Sequence, residues 1–143
     1  MTDNEKTKRL KMYVVCCHVD KPMEEGDLKS VYNVPIQAGA ALTDKRICKL
    51  NDYDDFPESI SDRNKRYSEM TAMYRIGALN DSEYVGITHY RRRFLLSDKQ
   101  LEEYMDKGFD IITTKSYPLP GDCYGKLQSF ILFRRLGFVY GNP

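Results

Sequence analysis

The apolar positions of this chain fall into short blocks with two different periods. Met12-Tyr-Val-Val-Cys-Cys17 is a continuous apolar run rich in β-formers, bounded by polar residues, and it predicts a buried strand. Tyr84-Val-Gly-Ile-Thr-His-Tyr90 predicts a second strand and Phe109-Asp-Ile-Ile-Thr-Thr114 a third. Between them the spacing turns helical. Over 67–80, Met70, Met73, Tyr74 and Gly77 fall on one side of a helix, Ser68, Thr71 and Arg75 lie opposite, and Glu69 sits on the margin of the apolar face. A second helix is predicted over 98–107, with Ser97 as cap, Gln100 closing the capping box, Leu101, Tyr104 and Met105 facing inward, and Gly108 as the stop. The small-residue segment Val34-Pro-Ile-Gln-Ala-Gly-Ala-Ala-Leu42 predicts a short helix packed closely on a sheet. Residues 1–11 read as a disordered, solvated tail, and Asp20 to Ser30 and residues 51–66 as loops. Strand, helix, strand, helix, strand predicts an α/β fold, a mostly parallel sheet flanked by helices.

A length of 143 residues allows one domain or part of one. The balance of 22 basic against 21 acidic residues argues against nucleic acid as the main partner. No apolar run approaches the ~20 residues of a membrane span, and the charged start lacks the apolar stretch of a signal peptide, so a cytoplasmic location is expected. Of the four cysteines, Cys16 and Cys17 are adjacent while Cys48 and Cys123 stand apart, with no C-x-x-C spacing. Reduced thiols are expected rather than a zinc site or a disulfide framework. All 21 acidic residues precede Cys123, and Phe130 to Tyr140 is apolar without a cap or a clear period. That end reads either as an ordinary final strand or helix or as an altered terminus, and 117–143 is expected to be the least well packed part of the chain.

In open α/β sheets, ligands bind beyond the carboxyl ends of the strands. Both histidines belong there: His18 ends the first predicted strand, and His89 precedes Arg91-Arg92-Arg93 at the end of the second. The alternative for each is a satisfied structural histidine. Neighbouring residues in extended chain alternate faces, so at least one arginine should reach the sheet edge, where a guanidinium fork suits a phosphate. The competing reading is a solvated turn pairing with Asp98 or Glu102. Asp52-Tyr-Asp54-Asp55 contains an Asp-x-Asp, a pair able to hold a divalent cation against a diphosphate, but no good apolar strand precedes it. Glu69 could serve as general base or ligand anchor, or simply pair with an arginine. The chain has no G-x-x-x-x-G-K-[ST], G-x-G-x-x-G or G-x-S-x-G, which removes the main support for ATPase, dinucleotide and serine-hydrolase readings.

Four separated blocks carry a resemblance: Val34-Pro-Ile-Gln-Ala-Gly-Ala-Ala-Leu42, Ser59-Ile-Ser-Asp-Arg-Asn64, Tyr67-Ser-Glu-Met-Thr-Ala-Met-Tyr74 and Tyr84-Val-Gly-Ile-Thr-His-Tyr-Arg-Arg92. In that order, over about residues 12–115, they resemble a bacterial family of capsular and exopolysaccharide glycosyltransferase-like proteins, often described only as a domain of unknown function. The resemblance implies the Rossmann-like, GT-A-like fold of nucleotide-diphospho-sugar transferases, here its donor-binding half over 12–116, followed by a divergent 117–143. It implies transfer of a sugar from a nucleotide-diphospho-sugar to a polysaccharide or lipid-linked glycan, in the cytoplasm or at the inner membrane face beside the biosynthetic machinery. Carried over by residue, it points to Glu69 and His89 as catalytic, and to His18, Asn64, Thr71, Tyr74, Tyr90, Arg91 and Arg92 as binding donor. His89 and the arginines would lie near the diphosphate, His18 and Tyr74 in the donor pocket. No metal ligand is assigned, and a manganese or magnesium cofactor is left open.

Some positions depart from the pattern. Ser59 stands where Asn is usual and Arg75 where Trp is usual, which puts the packing of that helix face in question. Members are typically longer, so the alternative is a truncated, non-catalytic remnant or a nucleotide-sugar-binding module.

Overall fold

The computed structural model describes residues 2–20, 29–92, 94–113 and 131–134, the last by backbone alone. Among the described residues the chain forms a six-stranded sheet in the order β3-β2-β1-β4-β6-β5. Its strands are β1 (Leu10–Cys17), β2 (Asn33–Ala38), β3 (Leu50–Asn51), β4 (Tyr84–His89), β5 (Ile111–Thr113) and β6 (Ile131–Arg134). β1 pairs in parallel with β2 and β4, and β2 with β3, while β6 runs antiparallel to both β4 and β5. The expected mostly parallel α/β sheet is therefore present. The predicted third strand, 109–114, is shortened to β5 and is separated from β4 by β6. The apolar stretch 130–140 supplies that intervening strand at 131–134; otherwise the expectations for 117–143, for Cys123 and for Arg93 lie outside the described residues.

A strand apolar on both faces must be covered twice. One face of β1 carries Leu10 and Met12, which pack with Tyr32, Tyr84 of β4, and Leu101 and Met105 of α4 (Asp98–Asp106). The other carries Tyr13 and Val15, which pack with Ile36, Ala38, and Ala72 and Ile76 of α3 (Met70–Leu79). The result is a helix–sheet–helix sandwich. α4 begins with the predicted Ser97/Gln100 capping box, and Gly108 follows it at φ 72°.

Four local expectations are corrected. Residues 3–9 are not a loose tail but a helix, α1 (Asp3–Arg9), capped by Thr2 and Glu5 and leading directly into fully buried Leu10. It is tied to α4 by Lys6–Glu102 and Arg9–Asp106 ion pairs. The 34–42 segment is mainly strand: only Ala40–Leu42 turn into a single 3₁₀ turn. Pro35 is tolerated because β3 begins pairing only at Ile36, leaving one side of β2 an edge before it. Residues 51–66 contain β3, a 3₁₀ turn at Ser61–Arg63 and α2 (Asn64–Tyr67).

Finally, α3 buries Thr71, Ala72 and Ile76, while Met70, Met73 and Tyr74 are exposed. The periodicity located an apolar stripe correctly but not the side that meets the sheet. Close approach to Ala38 favours small Ala72, and the bulkier residues face a groove of about 660 Å³ shared with Phe56, Ile60 and Tyr67. Arg75, in the position where the resemblance expects an indole, lays its guanidinium 4.5 Å over the Phe56 ring.

Both carboxylates of the Asp-x-Asp segment are engaged in hydrogen bonds within the protein. The Asp52 side chain, 1% exposed, accepts from Gly39 N at 2.8 Å, Ala40 N at 3.0 Å and Ser61 Oγ at 2.5 Å. The Ser61 hydroxyl also accepts from Ala41 N. Asp54 is held by Arg46 and Asn51 Nδ2. Gly39 has φ 70°, and a Cβ there would sit 2.8 Å from the Asn64 side chain. Asp52→Ala leaves three donors without their acceptor and should cost about 3 kcal/mol or more in a urea titration. Gly39→Ala should cost about 1–3 kcal/mol from left-handed strain and overpacking. Near-native midpoints for both would show that this joint bears little of the stability.

Candidate functional site

Parallel pairing puts the carboxyl ends of β1, β2 and β4 on one edge, with Val15 opposite His89 and Cys17 opposite Ala38. His18 and His89 therefore emerge at the same end of the sheet. The chain leaves β1 through a turn in which Asp20 Oδ2 accepts from Cys17 N at 2.7 Å. It leaves β4 through a tight turn closed by His89 N to Arg92 O and Arg92 N to His89 O.

α3 delivers the third component. Between α2 and α3 the backbone breaks at Ser68, with φ 51° and ψ −130°. Asn64 Nδ2 spans the break, donating to Ser68 O at 2.7 Å and Thr71 Oγ1 at 2.8 Å. The break brings Glu69 to the sheet edge, with Oε1 3.6 Å from His89 Nε2. On the other side of the ring, His89 Nδ1 accepts from Arg91 N at 3.2 Å. Because Nδ1 is an acceptor, the neutral imidazole carries its proton on Nε2, directed towards Glu69.

Burial lowers the His89 pKa below its ordinary 6.5, helped by Arg91 and Arg92 and opposed by Glu69 and Asp20. For Glu69, burial pushes upward, but hydrogen bonds from Ser68 and its own backbone, together with His89 and Arg91, bring it below 4.5. At neutral pH the pair is thus a carboxylate facing a neutral imidazole. Burial thus disfavours a positive charge on the His89 ring.

Two cavities meet at this edge. The smaller, about 250 Å³ on the α3 side, is lined by Asp20, Asn64, Ser68, Glu69, His89 and Arg91 among others. The larger, about 550 Å³ on the α4 side, is lined by Lys29, Ser30, Thr88, Arg91, Arg92 and an apolar wall of Phe94, Leu95 and Leu96. Arg91 lines both. Its guanidinium lies 5.1 Å from the Tyr90 ring centroid, and that ring stands 4.5 Å from the His89 ring.

The site residues expected from sequence therefore separate into groups. Glu69, His89, Tyr90, Arg91 and Arg92 come together, and Asn64 joins the smaller cavity. His18 lies in the turn beside it, Nδ1 3.6 Å from Cys17 Sγ. Thr71 is 1% exposed, and its hydroxyl is bonded to Ser68 O and Asn64. Tyr74 belongs to the groove on the far side of α3, against Phe56, and not to the sheet edge. Asp20 and Lys29 were missed, since both fall in a stretch without a recognisable motif. Among the described residues no group of three His, Cys, Asp or Glu converges, and no helix is long and apolar enough to cross a membrane.

His89 and Glu69 give folding a defined pH dependence. Below pH 6.5 the unfolded chain binds a proton that folded His89 resists, so stability should fall on acidification from that point. A second decline should follow below pH 4.5, where the depressed Glu69 carboxylate loses its advantage. His89→Gln should remove the first decline alone in urea midpoints followed against pH. A wild-type midpoint unchanged down to pH 4.5 would contradict this assignment.

No curated protein sequence matches the chain. Among solved structures, it is similar to the apo structure of the bifunctional glycosyltransferase WbbM, with 33% identity and a TM-score of 0.51. That likeness covers 64% of this chain and 15% of the WbbM chain, so the present sequence spans a small part of that protein's length. The family described as a domain of unknown function, DUF4422, matches residues 11–118, and the chain belongs to that family.

Proposed function

We propose that this chain is the donor-binding half of a glycosyltransferase, moving a sugar from a nucleotide-diphospho-sugar to a polysaccharide or lipid-linked glycan. Capsule, exopolysaccharide or lipopolysaccharide synthesis at the inner membrane face is the setting that fits such acceptors. The observation that carries the reading is Arg91, at the shared rim of two cavities and next to the His89–Glu69 pair, on the carboxyl edge of three parallel strands. The 33% identity to part of WbbM supports it.

The larger cavity suits a nucleoside diphosphate: Phe94, Leu95 and Leu96 offer an apolar wall, and Lys29, Arg91 and Arg92 offer positive charge. Sugar transfer leaves a diphosphate whose developing charge must be stabilised by fixed cations or a metal. Asp52 and Asp54 already accept protein hydrogen bonds, so part of that charge falls to the arginines. The smaller cavity suits the sugar. There ionised Glu69 accepts from a hydroxyl, either orienting the donor or deprotonating the attacking acceptor. Neutral His89, pinned by Arg91 N, positions Glu69.

An arginine–phosphate contact in a partly dry cleft is worth about 1.5–3 kcal/mol. Arg91→Ala or Arg92→Ala should weaken nucleoside diphosphate binding roughly ten- to hundredfold, more for Arg91, which lines both cavities. Arg→Lys should restore it only in part, because an ammonium lacks the bidentate fork. Calorimetry with a panel of nucleoside diphosphates, with and without manganese, measures this. Wild type that binds none of them, or both alanine variants binding as tightly as wild type, overturns the proposal. Binding without sugar transfer identifies a nucleotide-sugar-binding module.

A further inference from the structure

We propose that Cys16 and Cys48 are a redox-active dithiol, which a hydroperoxide converts into a disulfide fastening the 43–49 loop to the carboxyl end of β1. Their sulfurs are 3.1 Å apart although the residues are separated by 32 positions. Separate tethers hold the two together. Cys16 is paired in β1 opposite Gln37 of β2. The wholly buried Gln37 side chain grips the loop on the approach to Cys48, donating from Nε2 to Lys45 O and accepting from Ile47 N, both at 2.8 Å. Arg46 adds bonds to Ala40 O, Thr43 O and Asp54. The dithiol is thus built by the fold and is not the product of two floppy side chains.

The two thiols are unequal. Cys16, 2% exposed, lies with its sulfur 3.4 Å from Ile36 O and is hydrogen-bonded, with either sulfur able to donate, to Cys48, which is 8% exposed and nearer to solvent. That hydrogen bond lowers the Cys48 pKa and raises that of Cys16, with burial reinforcing the rise at Cys16 and opposing the fall at Cys48. Being nearer to solvent, Cys48 is the attacking thiol, and the deeper Cys16 the resolving one. Cys48 sulfur attacks the terminal peroxide oxygen: an S–O bond forms, the O–O bond breaks, and the departing oxygen leaves as water or alcohol with the thiol proton. Cys16 sulfur then attacks the sulfenic sulfur: the S–S bond forms, the S–O bond breaks, and hydroxide departs as water with the Cys16 proton. Two thiols lose two electrons and two protons, and one peroxide is reduced. Adjacent Cys17 points to the opposite side of the strand, its sulfur beside His18.

The test uses the full chain, reduced and then titrated with hydrogen peroxide, alkylated, digested with trypsin and mapped by mass spectrometry. The expected product is the peptide carrying Cys16 and Cys17 joined to Ile47–Lys49, two hydrogens lighter than the separate peptides and released by dithiothreitol. It should form in wild type and in Cys17→Ser, and be lost in Cys16→Ser and Cys48→Ser. Unfolding in urea should slow its formation at least tenfold. If either loss variant fails to fold, by circular dichroism, wild type and Cys17→Ser still decide the pairing. Over-oxidised Cys48 without the cross-link, a cross-link that survives Cys16→Ser, or one that forms as fast in urea overturns the proposal.

Discussion

The structure around the sheet edge depends on one buried carboxylate. Asp52 takes hydrogen bonds from the segment that follows β2 and from the serine that opens the next 3₁₀ turn, so two separated stretches converge on its two oxygens. A carboxyl group is buried at acceptable cost only when such donors replace its water. The convergence fixes Gly39 in its left-handed turn, Gly39 leaves room for Asn64, and Asn64 braces the break before α3. Glu69 owes its place at the sheet edge to that chain of contacts.

The edge itself combines opposite electrostatic demands. A carboxylate faces a buried imidazole on the α3 side, while exposed guanidinium groups stand two and three residues further along the same backbone, on the rim and the α4 side. The separation follows from strand geometry. His89 still obeys the alternation of β4 and turns to the α3 face, whereas Arg91 and Arg92 belong to the tight turn and are released from it. A short connection thereby changes from a buried neutral ring to a solvent-facing cation within two residues.

Much of this was legible in the sequence. The unbroken apolar run of β1, the capping box of α4 and the histidines at the strand ends follow from local rules that tertiary packing did not override. Other features depend on partners that a linear pattern does not reveal. The Met70, Met73 and Tyr74 stripe looks like a core face, yet the sheet selects Ala72 because only a small side chain permits the approach. The Asp-x-Asp spells a pair able to hold a cation, and nothing in its spacing shows that Gly39, Ala40 and Ser61 occupy its first carboxylate. Likewise Cys16 and Cys48 show no motif spacing; Gln37, not sequence proximity, brings them together. Thr71 illustrates the same limit, as its motif position gives no sign that its hydroxyl is consumed within the helix break.

The central place of β1 has a consequence for how the chain is made. During synthesis its apolar run emerges ahead of both flanking strands, and its β4 partner lies some seventy residues later in sequence. Until that partner arrives, one edge and much of both faces of the strand have nothing native to bury them. Such distant pairing requires the closing of a long loop before any contact repays the entropy, which slows folding and prolongs exposure. The nascent chain is therefore most prone to aggregate between the emergence of β1 and that of β4, before its candidate site has been assembled.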